Sequence, residues 1–220
     1  MATITQLERL YRHQADDEVS NEYYLSQSDF LFFLNESQRK AARNGDLLFD
    51  KTSAYTSIAV ISGTSVYAIN PLIYSINSVT LTTLDNSKIT LELVDRIELD
   101  RINPLWRTKS EQPKYAIYEG EKLELSPSPN ANCTLQLETY RYPAELQTTA
   151  SFLEIKAEDH EHLIDWVEYR AFRTKEVDSM DISRSDKAEQ RFLNYFGQEP
   201  RSKDKKNQFT NTPHRTKAVI

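Results

Sequence analysis

Leu123 to Tyr140 reads LELSPSPNANCTLQLETY, two alternating runs around a knot of Pro, Ser and Asn. Leu123 and Leu125 point one way, and Lys122 and Glu124 the other. Beyond the loop, Cys133, Leu135 and Leu137 oppose Thr134, Gln136 and Glu138. A period of two with one apolar face is the mark of an antiparallel sheet that is buried on one side and wet on the other. Pro127 and Pro129 cannot donate to a ladder, so they end the first run and stiffen the loop. The stretch reads as a hairpin with an exposed tip, Ser126 to Asn132.

The same period extends upstream. PKYAIYEGEKLELS turns at Glu119-Gly120. Val79, Leu81 and Thr83 alternate, LDNSK turns the chain, and Ile89, Leu91 and Leu93 alternate again. Ile58 and Val60, then Val66, Tyr67 and Ile69, bracket the turn candidate SGTS. DRIELDRINP is a short helical piece that ends at Pro104.

On both sides of this block the period is helical. Thr3 with Gln6 forms a capping pair for a first helix carrying Ile4, Leu7 and Tyr11. Ser26 to Asp29 starts a second, in which Phe30, Leu34, Gln38 and Ala41 recur up to a stop at Gly45. Beyond Ile155, the acids Glu158, Asp159 and Glu161 suit a helix N-terminus. Leu163, Val167 and Ala171 form a stripe that Ile164, Trp166, Tyr169 and Phe172 widen. Ser183 or Ser185 can cap a last helix, whose Ala188, Phe192, Tyr195 and Phe196 lead to a stop at Gly197.

This order predicts an α+β chain: a helical bundle from N- and C-terminal helices with an antiparallel β insertion and an extended C-terminal tail. The expected division is 1–50 for the first bundle helices, 51–150 for the insertion, 151–197 for the last helices and 198–220 for the tail. Matched apolar faces should bring Leu34 and Ala41 against Val167 or Ala171.

The chain has 220 residues, 39% of them hydrophobic and 27% charged, which is a globular balance. A formal net charge of −6 is unlike the basic face that grips phosphates. Cys133 is the only cysteine, so no internal disulfide forms. The N-terminus shows no apolar signal core, and no run approaches the ~20 apolar residues that span a bilayer. The expectation is synthesis in the cytoplasm, without membrane insertion.

Candidate chemistry is sparse. His160 and His162 in EDHEHL stand at i and i+2, which puts them on different sides of a helix, whereas helical zinc sites use i and i+4. Ser65 in SGTSVY lacks the second Gly and the strand-to-helix turn of a nucleophile elbow. Asp95, Glu98 and Asp100, like Asp178, Asp181 and Asp186, come without a companion Lys or His in a recognisable arrangement. Trp166, Tyr169 and Phe172 share one helix and read as packing rather than as base-stacking platforms. No cofactor or metal is expected. The signal that remains is the aperiodic end, QEPRSKDKKNQFTNTPHRTKAVI. There Arg201, Lys203, Lys205, Lys206, Arg215 and Lys217 face only Glu199 and Asp204, and Phe209, Val219 and Ile220 are the apolar anchors. Such an end reads as an arm for an acidic partner.

The layout resembles the head-to-tail adaptor (connector) proteins of tailed bacteriophages. DFLFFLNESQRKAARNGDLLFD is similar to that family's early helix and SIAVISGTSVYAI to its first hairpin. KLELSPSPNANCTLQLETYRYPAEL is similar to its later hairpin, and LEIKAEDHEHLIDWVEYRAF to its return helix. Where the family often has Pro after the Ile before that helix, Ile155 is followed by Lys156. The resemblance implies a non-enzymatic virion protein of the neck, a homo-oligomeric ring, typically dodecameric, between portal protein and tail or nozzle proteins. DNA would pass through its lumen without sequence-specific binding, and no membrane is involved. The tail residues named above would bind the portal, and Ser126, Pro127, Ser128, Pro129 and Asn130 would form a ring or tail contact loop. Two other classes stay open on the residues alone: a metal-dependent nuclease or hydrolase, and a small protein- or carbohydrate-binding module.

Overall fold

The computed structural model describes residues 3–18, 23–173 and 181–199. Its helices are α1 (Ile4–Ala15), α2 (Gln27–Gly45), α3 (Arg96–Ile102), α4 (His160–Arg173) and α5 (Ile182–Phe196). Its strands are β1 (Phe49–Asp50), β2 (Ser57–Val60), β3 (Val66–Ala68), β4 (Ile73–Thr82), β5 (Lys88–Leu93), β6 (Ser110–Glu111), β7 (Tyr115–Glu119), β8 (Lys122–Ser126), β9 (Ser128–Pro129) and β10 (Cys133–Arg141). They divide between two units, Met1–Leu48 with Arg141–Glu199, and Phe49–Tyr140.

In the first unit the helix starts follow from capping chemistry. Thr3 Oγ1 accepts the Gln6 N–H at 3.2 Å while Gln6 Oε1 accepts the Thr3 N–H at 2.8 Å, so two orphan donors are satisfied reciprocally. Ser26 Oγ accepts the Asp29 N–H at 3.1 Å. The α2 stop falls one residue later than Gly45 suggests: Asp46 takes the left-handed cap, with φ 47°, a conformation that short polar side chains tolerate. The α5 cap is Asp181, whose Oδ1 accepts the Arg184 N–H at 2.9 Å, and neither Ser183 nor Ser185. Ser185 is buried inside the helix and donates to the Tyr169 carbonyl at 2.9 Å.

One apolar core joins these helices. Leu34, Ala41, Leu163, Val167 and Phe192 all belong to it, so Leu34 and Ala41 do share a core with Val167. Ser37 Oγ donates to the Leu163 carbonyl at 2.8 Å, which ties α2 to α4 where the side chains are small. The return segment after Arg141 is strapped to α2 through Asn35. Its Nδ2 donates to the Leu146 carbonyl at 3.0 Å, and its Oδ1 accepts the Leu146 N–H at 2.8 Å.

The second unit is built on a sheet of eight strands. Along it run β1, β10, β4, β5, β7, β8 and β3, with β2 also paired to β10. Two hairpins are as the alternation predicts. β4 and β5 pair with Val79 opposite Leu91, and β7 and β8 pair with Ala116 opposite Leu125. Gly120 turns the second with φ 66°, where a side chain would be strained.

The larger plan differs from expectation. The arms of Leu123–Tyr140 are not each other's partners, because β7, β5 and β4 lie between β8 and β10. SGTS is not a hairpin turn either: β2 pairs with β10 and β3 with β8. Yet Leu123, Leu125, Leu135 and Leu137 line one core with Val60, Tyr67 and Leu91. Strands so far apart in the ladder can face one core only if the sheet curls round it, giving a half-barrel. The helical bundle with an antiparallel β insertion is therefore corrected. The curled sheet with its own core dominates the fold, and it is mixed: β5 and β7 run parallel, as do β6 and β9. The connection from Leu93 to Tyr115, which holds α3, is long enough for a parallel crossover. A smaller core of Leu99, Trp106 and Ile117 lies under α3.

Candidate interaction surface

Most of the chemical candidates that the structure describes have structural partners. His160 is only 3% exposed, and its Nε2–H donates to the Ile155 carbonyl at 2.9 Å. His162 instead stacks on Tyr195, with ring centroids 3.6 Å apart, so the two imidazoles serve different neighbours. Ser65 continues into β3, its carbonyl accepting the Leu125 N–H at 2.8 Å. Asp100 accepts from Trp106 Nε1 at 2.8 Å and from Arg107 at 2.5 Å. Those hydrogen bonds, the Arg107 one first, hold its carboxyl below the usual range. Asp181 caps α5, Asp186 lies 3.7 Å from Arg173, and Asp178 falls outside the described residues. Trp166 packs against Tyr169 and Phe192 at 4.6 and 5.1 Å, inside the first unit's core. Cys133 packs against the sheet core, where burial pushes its thiol up, away from a reactive thiolate. Among the described residues no group of three or more His, Cys, Asp or Glu is placed to hold a metal, and no helix is long and apolar enough to cross a membrane.

The loop expected to be exposed is largely built in. Ser126, Pro127 and Pro129 are buried, Ser128 is half-buried, and only Asn130 to Asn132 are exposed. β9 pairs with β6, the Pro129 carbonyl accepts the Gly63 N–H at 2.7 Å, and Asn132 Oδ1 accepts the Ser62 N–H at 2.9 Å. The prolines stiffen this loop, but they do so by packing it against the 61–65 connection.

What remains free for contact lies elsewhere, and sequence reasoning missed it. The α3 crossover leaves Ile97, Ile102 and Leu105 exposed, Ile97 at 84%. Seven residues can bury one face only, and Leu99 takes it; the irregular spacing of Ile97, Leu99 and Ile102 was the available signal. Arg96 fixes the crossover by donating to Glu119 at 3.0 Å and to Glu124 at 2.8 Å. In the first unit Phe152 is 87% exposed on a turn that Ser151 closes, its Oγ accepting the Thr148 N–H at 3.2 Å. An apolar side chain held in water on an ordered element is a ready contact anchor.

Arg201, Lys203, Lys205, Lys206, Phe209, Arg215, Lys217, Val219 and Ile220 lie outside the described residues. Their approach is anchored by Glu199, paired with Arg43 at 2.6 Å, and by Asn44 Nδ2 donating to the Gly197 carbonyl at 2.7 Å.

No curated protein matches the chain. The family model described as SU10 adaptor protein matches residues 2–217, which takes in both units and nearly all of the basic end. The chain therefore belongs to the SU10 adaptor protein family, a family of phage head-to-tail adaptors.

Proposed function

We propose that copies of this chain form a ring, of the dodecameric kind, in the virion neck, joining the portal protein to tail or nozzle proteins while DNA passes through its lumen. The observation that carries this reading is the family match over residues 2–217. A structural role without a catalytic step follows from the same membership. The exposed Ile97, Ile102 and Leu105 supply apolar contact on a pinned crossover, as neighbouring copies require. The acidic total of −6 suits a lumen that repels DNA rather than gripping it. Asn130 is the part of the 126–130 loop with the exposure a ring or tail contact needs.

The basic end is the portal-binding arm in this reading. Arg201, Lys203, Lys205, Lys206, Arg215 and Lys217 speed and orient the encounter, and Phe209, Val219 and Ile220 hold the complex. The two roles separate kinetically. Replacing Lys203, Lys205 and Lys206 with Ser should slow association with purified portal and flatten its salt dependence. Deleting Thr216 to Ile220 should mainly shorten the lifetime of the complex. Unaltered association and dissociation in both variants, across low and moderate salt, would remove the arm from the mechanism.

A further inference from the structure

The turn from Thr148 to Ser151 holds a large apolar side chain in water. Ser151 Oγ accepts the Gln147 N–H at 3.3 Å and the Thr148 N–H at 3.2 Å, and the Ser151 N–H donates to the Thr148 carbonyl at 3.0 Å. Core residues hold the chain on both sides, Leu146 before the turn and Leu153 and Ile155 after it. Burial alternates there, with Leu153 and Ile155 inward and Phe152 and Glu154 outward. Phe152 is 87% exposed as a result, and the turn builds that exposure in.

A second phenylalanine stands toward the same end of the first unit. Gln38 Nε2 donates to the Ala144 carbonyl at 3.2 Å and Asn35 Nδ2 to the Leu146 carbonyl at 3.0 Å, so this segment runs antiparallel to α2. It heads toward the start of α2, where Phe32, one helical turn before Asn35, is 60% exposed.

The charge around Phe152 has one sign. Residues 145–161 hold Glu145, Glu154, Glu158, Asp159 and Glu161 against Lys156 alone. All but Asp159 are exposed acids. Arg141 meets Glu154 at 2.7 Å, and Arg39 approaches Glu145 at 3.9 Å. The basic end has the opposite balance, six cations against Asp204. A partner patch that attracts the one repels the other.

We propose that the Phe152 turn is the docking point for the tail (nozzle) protein, seating Phe152 in an apolar socket rimmed by Lys and Arg. This rests on the reading of the chain as a ring adaptor whose basic end takes the portal. The two partners then differ in charge, and each surface rejects the wrong one, which gives the adaptor its direction. The same acids repel phosphates, so DNA is not the occupant. The buried aromatic anchor holds the complex, and the acids steer the encounter.

Binding of the full chain to purified tail (nozzle) protein and to purified portal protein tests this. Phe152→Ser should weaken tail-protein binding at least about tenfold and leave portal binding unchanged. Phe152→Leu should restore most of the loss. A chain with Glu158→Gln and Glu161→Gln, which keeps Phe152, should associate with tail protein about threefold more slowly, with a flatter salt dependence. Unchanged tail-protein affinity in Phe152→Ser overturns the proposal. So does a loss confined to portal binding, or a fall in the chain's own assembly mass, which would place Phe152 on the portal or between copies. If the unaltered chain still binds both proteins in those cases, the adaptor reading stands and only the docking point fails. If it binds neither, both fall.

Discussion

An Arg12→Met chain should lose about 3–5 kcal/mol of stability, read as a lower urea midpoint. Arg12 is buried between two buried carboxylates, 2.6 Å from Glu8 and 3.0 Å from Asp17, and it also donates to the Leu25 carbonyl at 3.3 Å. Met fills the volume but leaves both acids without their counter-ion. Asp17 in turn accepts the Tyr24 N–H at 2.9 Å, so the entry into α2 is set by the same cluster. Arg12→Lys should recover only part of the loss, because an ammonium cannot fork between three acceptors as a guanidinium does. A midpoint unchanged in Arg12→Met would show that the carboxylates are hydrated in solution and that the cluster is not structural.

Leu135→Ala should cost about 2–5 kcal/mol, and Leu123→Ala a similar amount. Both side chains are fully buried in the half-barrel core, although they sit in strands separated by three others. Truncating either leaves a cavity that a curled sheet closed around one core cannot easily collapse. Had the two arms formed a free-standing hairpin with one wet face, each loss would be far smaller. Chemical denaturation in a Trp166→Phe background, followed by the fluorescence of the remaining Trp106, reads this unit; losses below about 1 kcal/mol for both would contradict the shared core.

Local structure was legible where a few neighbouring residues determine it. Thr3 with Gln6, Ser26 with Asp29, and the Glu119-Gly120 turn each follow from chemistry within four positions. The helix faces followed as well, because Leu34, Ala41 and Val167 each had to bury somewhere. Strand partners were not legible. Alternation tells which face Leu125 or Leu135 presents, but not which strand lies beside it. Pairing β10 with β2 joins residues about seventy-five positions apart, and nothing in SIAV or CTLQ encodes that choice locally. The short span between β8 and β10 invited a hairpin, whereas the chain uses it to carry β9 into a parallel pair with β6.

The same limit governed the surface. Pro127 and Pro129 in a polar loop looked exposed, yet both are buried because Gly63 and Ser62 on a distant connection close over the loop. Ile97, in the short helical piece, and Leu105, just beyond Pro104, are exposed because Leu99 and Trp106 already fill the space beneath. Assembly surfaces of this kind depend on what the rest of the fold leaves uncovered.

Light scattering coupled to size-exclusion chromatography, on the full chain alone and mixed with purified portal protein, tests the adaptor assignment most directly. The account predicts several 25.6 kDa copies of the chain in one particle, in the chain's own peak or, at the latest once portal is added, in a peak that holds both proteins. A 25.6 kDa monomer at every concentration, eluting apart from the portal, would contradict it.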